Sequence, residues 1–172
     1  MNKISVKEIA VFGMLGALVF ISRQAMAFLP NIHLCGMFTM LFAVVYRGKG
    51  LIPLFVFILL EGLFSGFSPW WVPYLYLWPI LWGVTMLLPK SLAEKKFTIV
   101  YPLVCGLFGL LYGTLYAPFQ ALLYHFSFKQ TLAWIAAGFI WDLIQAAGNF
   151  AAGFLVLPLS KLLHKLERTP KL

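Results

Sequence analysis

Long apolar runs alternate with short polar, glycine or proline breaks along the whole chain. The first run extends from about Lys7 to Phe28 and closes at "PN" (30–31). The second covers about His33 to Tyr46 and ends at "RGKG"; the third covers about Leu51 to Phe67 and ends at "SPWW". The fourth covers about Val72 to Leu88 and ends at "PKSLAEKK", the fifth about Val100 to Tyr124, and the sixth about Leu132 to Leu159. Crossing a bilayer core takes about 20 helical residues. The pattern therefore predicts an all-α membrane protein of six transmembrane helices, with residues 1–172 forming one integral membrane domain. The second and third runs are short for a span, which leaves re-entrant or interrupted geometry open there.

Composition agrees with the pattern. The chain is 62% hydrophobic and 10% charged, and its mean hydropathy is +0.92. Soluble domains average about 25% charged residues, so most of this surface needs lipid as its solvent. The net charge of +8 does not mark a nucleic-acid binder, because the basic residues lie in short loops and tails between apolar runs. Lys3, Lys7, Arg47, Lys49, Lys90, Lys95, Lys96, Lys161, Lys165, Arg168 and Lys171 fall on one side, against Lys129 and Arg23 on the other. That asymmetry predicts cytoplasmic N- and C-termini in a multi-pass membrane protein; the cell membrane, specifically the prokaryotic plasma membrane, is the expected location. "AMA" at 25–27 resembles a signal-peptidase site, but the following chain is itself multispan, so the first helix is expected to stay uncleaved. Cys35 and Cys105 lie inside apolar stretches and read as packing residues.

Chemistry is sparse. There is no GxxxxGK[ST] loop and no HExxH, and His33, His125 and His164 are scattered. The chain itself should not hydrolyse ATP, and neither a resident metal nor a cofactor is expected. A serine–histidine pair from Ser65 or Ser68 with His125 lacks a nucleophile elbow.

Polar residues at membrane depth say more. Arg23, Glu61, Gln120, Asp142, Gln145 and Asn149 interrupt the oil. Ionisable groups there are costly and face a bundle interior or a water-filled cavity. Asp142, Gln145 and Asn149 follow at i, i+3 and i+7 and share one helix face; Tyr112, Tyr116 and Gln120 repeat every four residues and form another. Two such faces favour a solute pocket. Arg23 can instead form a structural ion pair with Glu61 or Asp142. Trp70, Trp71, Tyr74, Tyr76 and Trp78 form either an interfacial belt or the wall of a site for a flat ligand. Gly109, Gly113 and Ala117, with Ala147–Ala151 and Gly148–Ala152, read as close helix packing. Ala10, Gly13 and Ala17 make a smooth stripe on the first helix, suited to docking another membrane subunit.

Small size, six spans, internal termini, an outward pocket and the first-helix stretch "EIAVFGMLGALVF" resemble the substrate-binding S-components of energy-coupling factor (ECF) transporters. That family typically carries Ala-xxx-Ala on this helix; here Ala10 is followed four later by Met14, and Gly13 with Ala17 supplies a Gly-xxx-Ala version. The resemblance implies a subunit of an ABC-type transporter that binds a vitamin or related micronutrient from outside. Its implied partners are a transmembrane T-subunit and two cytoplasmic ATPases. It also selects, from outer loops and later helices, a substrate site of Trp70, Trp71, Tyr74, Tyr112, Tyr116, Gln120, Trp134, Asp142, Gln145 and Asn149.

The aromatic wall suits a ring system, with a cobalamin-type corrinoid first and riboflavin-like rings next. In the corrinoid case His33 would approach the cobalt. A stand-alone small-solute transporter is the alternative, and an intramembrane enzyme a more distant one.

Overall fold

The computed structural model describes residues 4–89 and 94–168. Lys3, Lys90 and Lys171 of the basic set lie outside the described residues, as do the side chains of Lys95 and Arg168. The described chain is helical: α1 (Val6–Ala25), α2 (Cys35–Tyr46), α3 (Leu51–Ser65), α4 (Tyr74–Leu87), α5 (Glu94–Tyr124), α6 (Phe128–Gly153) and α7 (Val156–Arg168). Three helical runs, Cys35–Ser65, Lys96–Tyr124 and Phe128–Gly153, are long and apolar enough to cross a membrane, so the chain is a membrane protein.

Local chemistry starts and stops these helices. Ser5 and Glu8 form a capping box at α1, and Ser127 and Gln130 form another at α6. In each, the serine hydroxyl accepts from a backbone N–H one turn on, and the longer side chain accepts from the serine N–H. The 31-residue run Cys35–Ser65 has the length of one span but is folded back on itself. Arg47, with φ of 53° and ψ of −126°, breaks the helix, and a tight turn over Arg47–Gly50 reverses it. Gly50 sits so close to the Phe42 carbonyl that a Cβ would lie 2.4 Å from its oxygen.

Contacts along the helices fix their directions. Glu8 at the start of α1 pairs with Lys49 just before α3, and Arg23 at the end of α1 pairs with Glu61 near the end of α3. These two helices are therefore parallel. Tyr46, at the end of α2, packs edge-on against Phe12, so α2 runs the opposite way. We call the end where α1 starts lower and the end where it finishes upper. Tyr74 at the start of α4 reaches Arg23, whereas Arg47 at the lower turn bonds the Met86 carbonyl. Tyr116 high on α5 stacks on Trp134 of α6, and Gly153 at the foot of α6 meets Pro102 of α5. The six helices α1–α6 thus alternate in direction. The described side chains of Lys7, Arg47, Lys49, Lys96, Lys161 and Lys165 gather at the lower end.

Helix α2 is the axle. Cys35 through Ala43 are all buried, including Phe42 and Met40 at 0% exposure. A helix apolar on every side sits either in lipid or in a protein core; α2 takes the core, since it meets α1, α3, α4, α5, α6 and α7. Outward faces stay apolar: Leu103, Leu107 and Leu111 on α5 and Phe139, Ile140 and Phe150 on α6 are exposed, a surface suited to lipid. The short α2, α3 and α4, of 12, 15 and 14 residues, extend only about 18–23 Å at 1.5 Å per residue.

Two sequence expectations shift. The fifth run begins earlier, at Glu94, and the sixth ends at Gly153. Phe154 and Leu155 break the helix, so Leu159 belongs to α7, an amphipathic helix that buries Val156 and Ser160 against the lower end. Ala147 and Ala151 are exposed and do not pack within the chain, because the face of α6 toward α5 passes through Asp142, Ala146 and Gly153 instead. The other small-residue series do pack. Ala117 and Ala152 are buried; Gly148 lies against Ile32, and Gly109 would place a Cβ 2.9 Å from the Ala146 backbone. Gly109→Leu must therefore open the α5–α6 seam. A loss of about 1–3 kcal/mol is expected from overpacking, seen as a lower thermal unfolding midpoint in detergent.

Candidate binding site under the 26–34 loop

Between α1 and α2 the chain crosses the upper end in a compact loop. Leu29 N–H donates to the Met26 carbonyl and Ile32 N–H to the Leu29 carbonyl. Asn31 takes φ of 57°, a left-handed conformation that asparagine tolerates better than most residues. Its side-chain Nδ2 donates to the Trp141 carbonyl of α6 at 3.4 Å, which ties the loop across the bundle.

Two adjoining cavities lie under this loop. The larger, about 470 Å³, is lined by Pro30, Asn31, Tyr112, Gly113, Trp134, Ile135, Gly138, Trp141, Asp142 and Gln145. The smaller, about 220 Å³, includes Arg23, His33, Tyr74, Tyr112 and Gln145. Pro30, Asn31, Tyr112 and Gln145 line both. Their combined size lies in the range of small-molecule sites.

The polar face of α6 forms much of the wall. Asp142, Gln145 and Asn149 are all buried, at 5%, 3% and 1% exposure. Asp142 comes close to α5 because position 113 is glycine: a Cβ there would lie 2.4 Å from Oδ2. The Gly113 N–H donates to Asp142 Oδ1 at 3.0 Å. Gln145 Nε2, Asn149 Nδ2 and His33 Nδ1 are buried with no hydrogen-bond partner. Leaving a buried polar group unmet costs about 1–3 kcal/mol, and two of these residues, Gln145 and His33, line the cavities, where a bound molecule could meet them. Asn149 lies one step below the cavities, fitted against Gly36, where a Cβ would sit 3.2 Å from Oδ1.

Arg23 pairs with Glu61, not with Asp142. Arg23 Nη1 donates to Glu61 Oε2 at 2.8 Å, Nη2 donates to the Tyr74 hydroxyl at 3.2 Å, and Gln24 Nε2 donates to Glu61 Oε1 at 3.2 Å. The guanidinium also lies over the Tyr74 ring, 5.9 Å from its centroid. The pair joins α1 to α3 and α4 while Arg23 still reaches the smaller cavity.

The aromatic set divides by role. Tyr112 and Trp134 line the larger cavity and Tyr74 the smaller. Tyr116 supports Trp134 from behind, with ring centroids 6.0 Å apart and planes 22° apart, and donates to the Trp70 carbonyl. Trp70 packs edge-on against Tyr74. Trp71 donates to the Ile58 carbonyl and packs on Phe67; it closes the top of α3 and lines neither cavity. Tyr76 is bonded to the Leu115 carbonyl, and Trp78 is wholly buried. Gln120 is half-buried near the top of α5 and lines neither cavity.

The sequence reading passed over Pro30, Asn31, Ile135, Gly138 and Trp141. "PN" read as a span terminator, although an asparagine beside proline at a membrane end was a visible turn signal. On the first helix, Gly16 is the residue used inside the chain, where a Cβ would meet Val56 at 2.6 Å. Ala10 is exposed, Ala17 is half-buried, and nothing stands within 4 Å of a Cβ at Gly13. Among the described residues, no group of three or more His, Cys, Asp or Glu could hold a metal, and no hydrogen bond joins Ser65 or Ser68 to His125. In comparisons with known proteins the chain matches no family model, no curated protein and no solved structure.

Proposed function

We propose that this chain is the substrate-binding membrane subunit of an ECF-type transporter and takes up a vitamin-like micronutrient. The observation that carries the reading is the pair of cavities under the 26–34 loop, with unmet polar atoms on their walls. Below them the bundle is plugged by fully buried Met40, Phe42, Phe57 and Leu81. These side chains offer a solute held at the upper end no polar lining below it, which favours a binding subunit over a self-sufficient transporter. With no nucleotide motif in the chain, the energy for uptake would come from separate ATPases acting through a T-subunit. The basic lower end would face the cytoplasm, which puts both termini inside and opens the cavities outward.

Ala10 is exposed and nothing stands within 4 Å of a Cβ at Gly13; with the half-buried Ala17 they form the proposed docking stripe. The cavity volumes suit a compound of one or a few rings. A corrinoid would enter them only in part, with its remainder above the loop.

Two measurements test the reading together. Mass spectrometry of the chain purified in mild detergent should find a co-purifying small molecule. Affinity purification after co-expression should recover the T-subunit and two ATPases. Ala10→Trp or Gly13→Trp should lose those subunits and keep the small molecule; recovery of all partners with both variants counts against the stripe.

A further inference from the structure

The two cavities differ in their charge, and the difference defines a ligand class. In the smaller, the charges of Arg23 and Glu61 cancel within a 2.8 Å ion pair. In the larger, Asp142 has no such answer. Its Oδ1 accepts the Gly113 N–H. Among the described residues, nothing donates to its Oδ2, and no lysine, arginine or histidine pairs with it. A carboxylate at membrane depth without a counter-charge is expensive, and this one opens onto the cavity. It lies 14 residues into a 26-residue helix, about 21 Å from its upper end at 1.5 Å per residue.

The rest of the wall fits one kind of partner. Tyr112, Trp134 and Trp141 line the same cavity as the acid, and aromatic faces attract cations. Gln145, one turn below Asp142, is 3% exposed with Nε2 unpartnered; its amide can meet an acceptor on the same ligand. A chamber of about 470 Å³ holds a compact molecule.

We propose that the ligand is a flat organic cation that presents a positively charged, hydrogen-bond-donating nitrogen to Asp142 and a polar acceptor to Gln145. This deepens the binding-subunit reading and rests on it. The cation replaces the missing counter-charge, and its two or more N–H groups match a carboxylate edge in the way neutral amides cannot.

Three small probes of nearly equal shape separate the possibilities: benzamidine (cationic), benzamide (neutral) and benzoate (anionic). Each is titrated calorimetrically into the full chain in detergent. Benzamidine should bind at least tenfold more tightly than benzamide, with benzoate weakest. Asp142→Asn, which keeps an acceptor for the Gly113 N–H, should bring benzamidine and benzamide to within about twofold of each other. Equal affinities in the unaltered protein overturn the cation assignment, as does a preference that survives Asp142→Asn, while either leaves the pocket standing. Failure of all three probes to bind overturns the pocket as well. The comparison within the unaltered protein does not depend on the variant folding.

Discussion

Glu61→Ala is expected to lower stability by about 1–3 kcal/mol, the cost of leaving partly buried hydrogen-bonding groups unmet. Glu61 has 0% exposure and receives both Arg23 and Gln24. Its loss leaves the Arg23 guanidinium, on a side chain only 27% exposed, without a counter-charge at the edge of the smaller cavity, and with the Tyr74 hydroxyl as its remaining hydrogen-bond partner. Thermal unfolding in detergent reads the effect. Replacing both partners, as Arg23→Met with Glu61→Met, removes both charges together and should recover much of the lost stability. A single variant that melts with the unaltered protein would show that this pair does not hold α1 to α3. The double variant also tests the site, because it leaves Asp142 untouched.

Gly113→Ala should have the largest effect on binding for the smallest change in mass. The added methyl would stand 2.4 Å from Asp142 Oδ2, so the carboxylate must turn away from its place on the wall. Affinity for the co-purifying ligand, or for benzamidine, should fall at least tenfold, about 1.4 kcal/mol or more. Gly83→Ala is the control: nothing stands within 4 Å of a Cβ there, so affinity should hardly change. If Gly113→Ala binds as well as Gly83→Ala, Asp142 does not set the affinity. Because neither variant removes a polar group, a selective loss points to the position of the carboxylate rather than to its presence.

Asp142, Gln145 and Asn149 could be read from the chain as one polar line, because helical spacing is local and α6 is a long regular helix. The same holds for Tyr112 and Tyr116 on α5 and for the small residues that allow those two helices to touch. Trp71 could not be separated from Trp134 in this way. Both are large aromatics near a membrane end, and only the fold turns one toward the top of α3 and the other into the cavity. The choice of Glu61 over Asp142 as partner to Arg23 was equally open, since both acids lay at plausible depth.

The sequence by itself determined what lipid requires: apolar runs, their order, the side that collects basic charge, and the few polar residues left at depth. These follow from composition and from a period of 3.6 residues, neither of which needs a distant contact. Only the tertiary structure decided that α2 lies at the centre and that Arg47 turns one 31-residue run back on itself. It also decided that Pro30 and Asn31 roof a site built mostly from α5 and α6. Those outcomes depend on which faces meet across more than 100 residues of chain, as when Asn31 reaches the Trp141 carbonyl. Helical periodicity repeats the same face at every turn and carries no label for the face opposite.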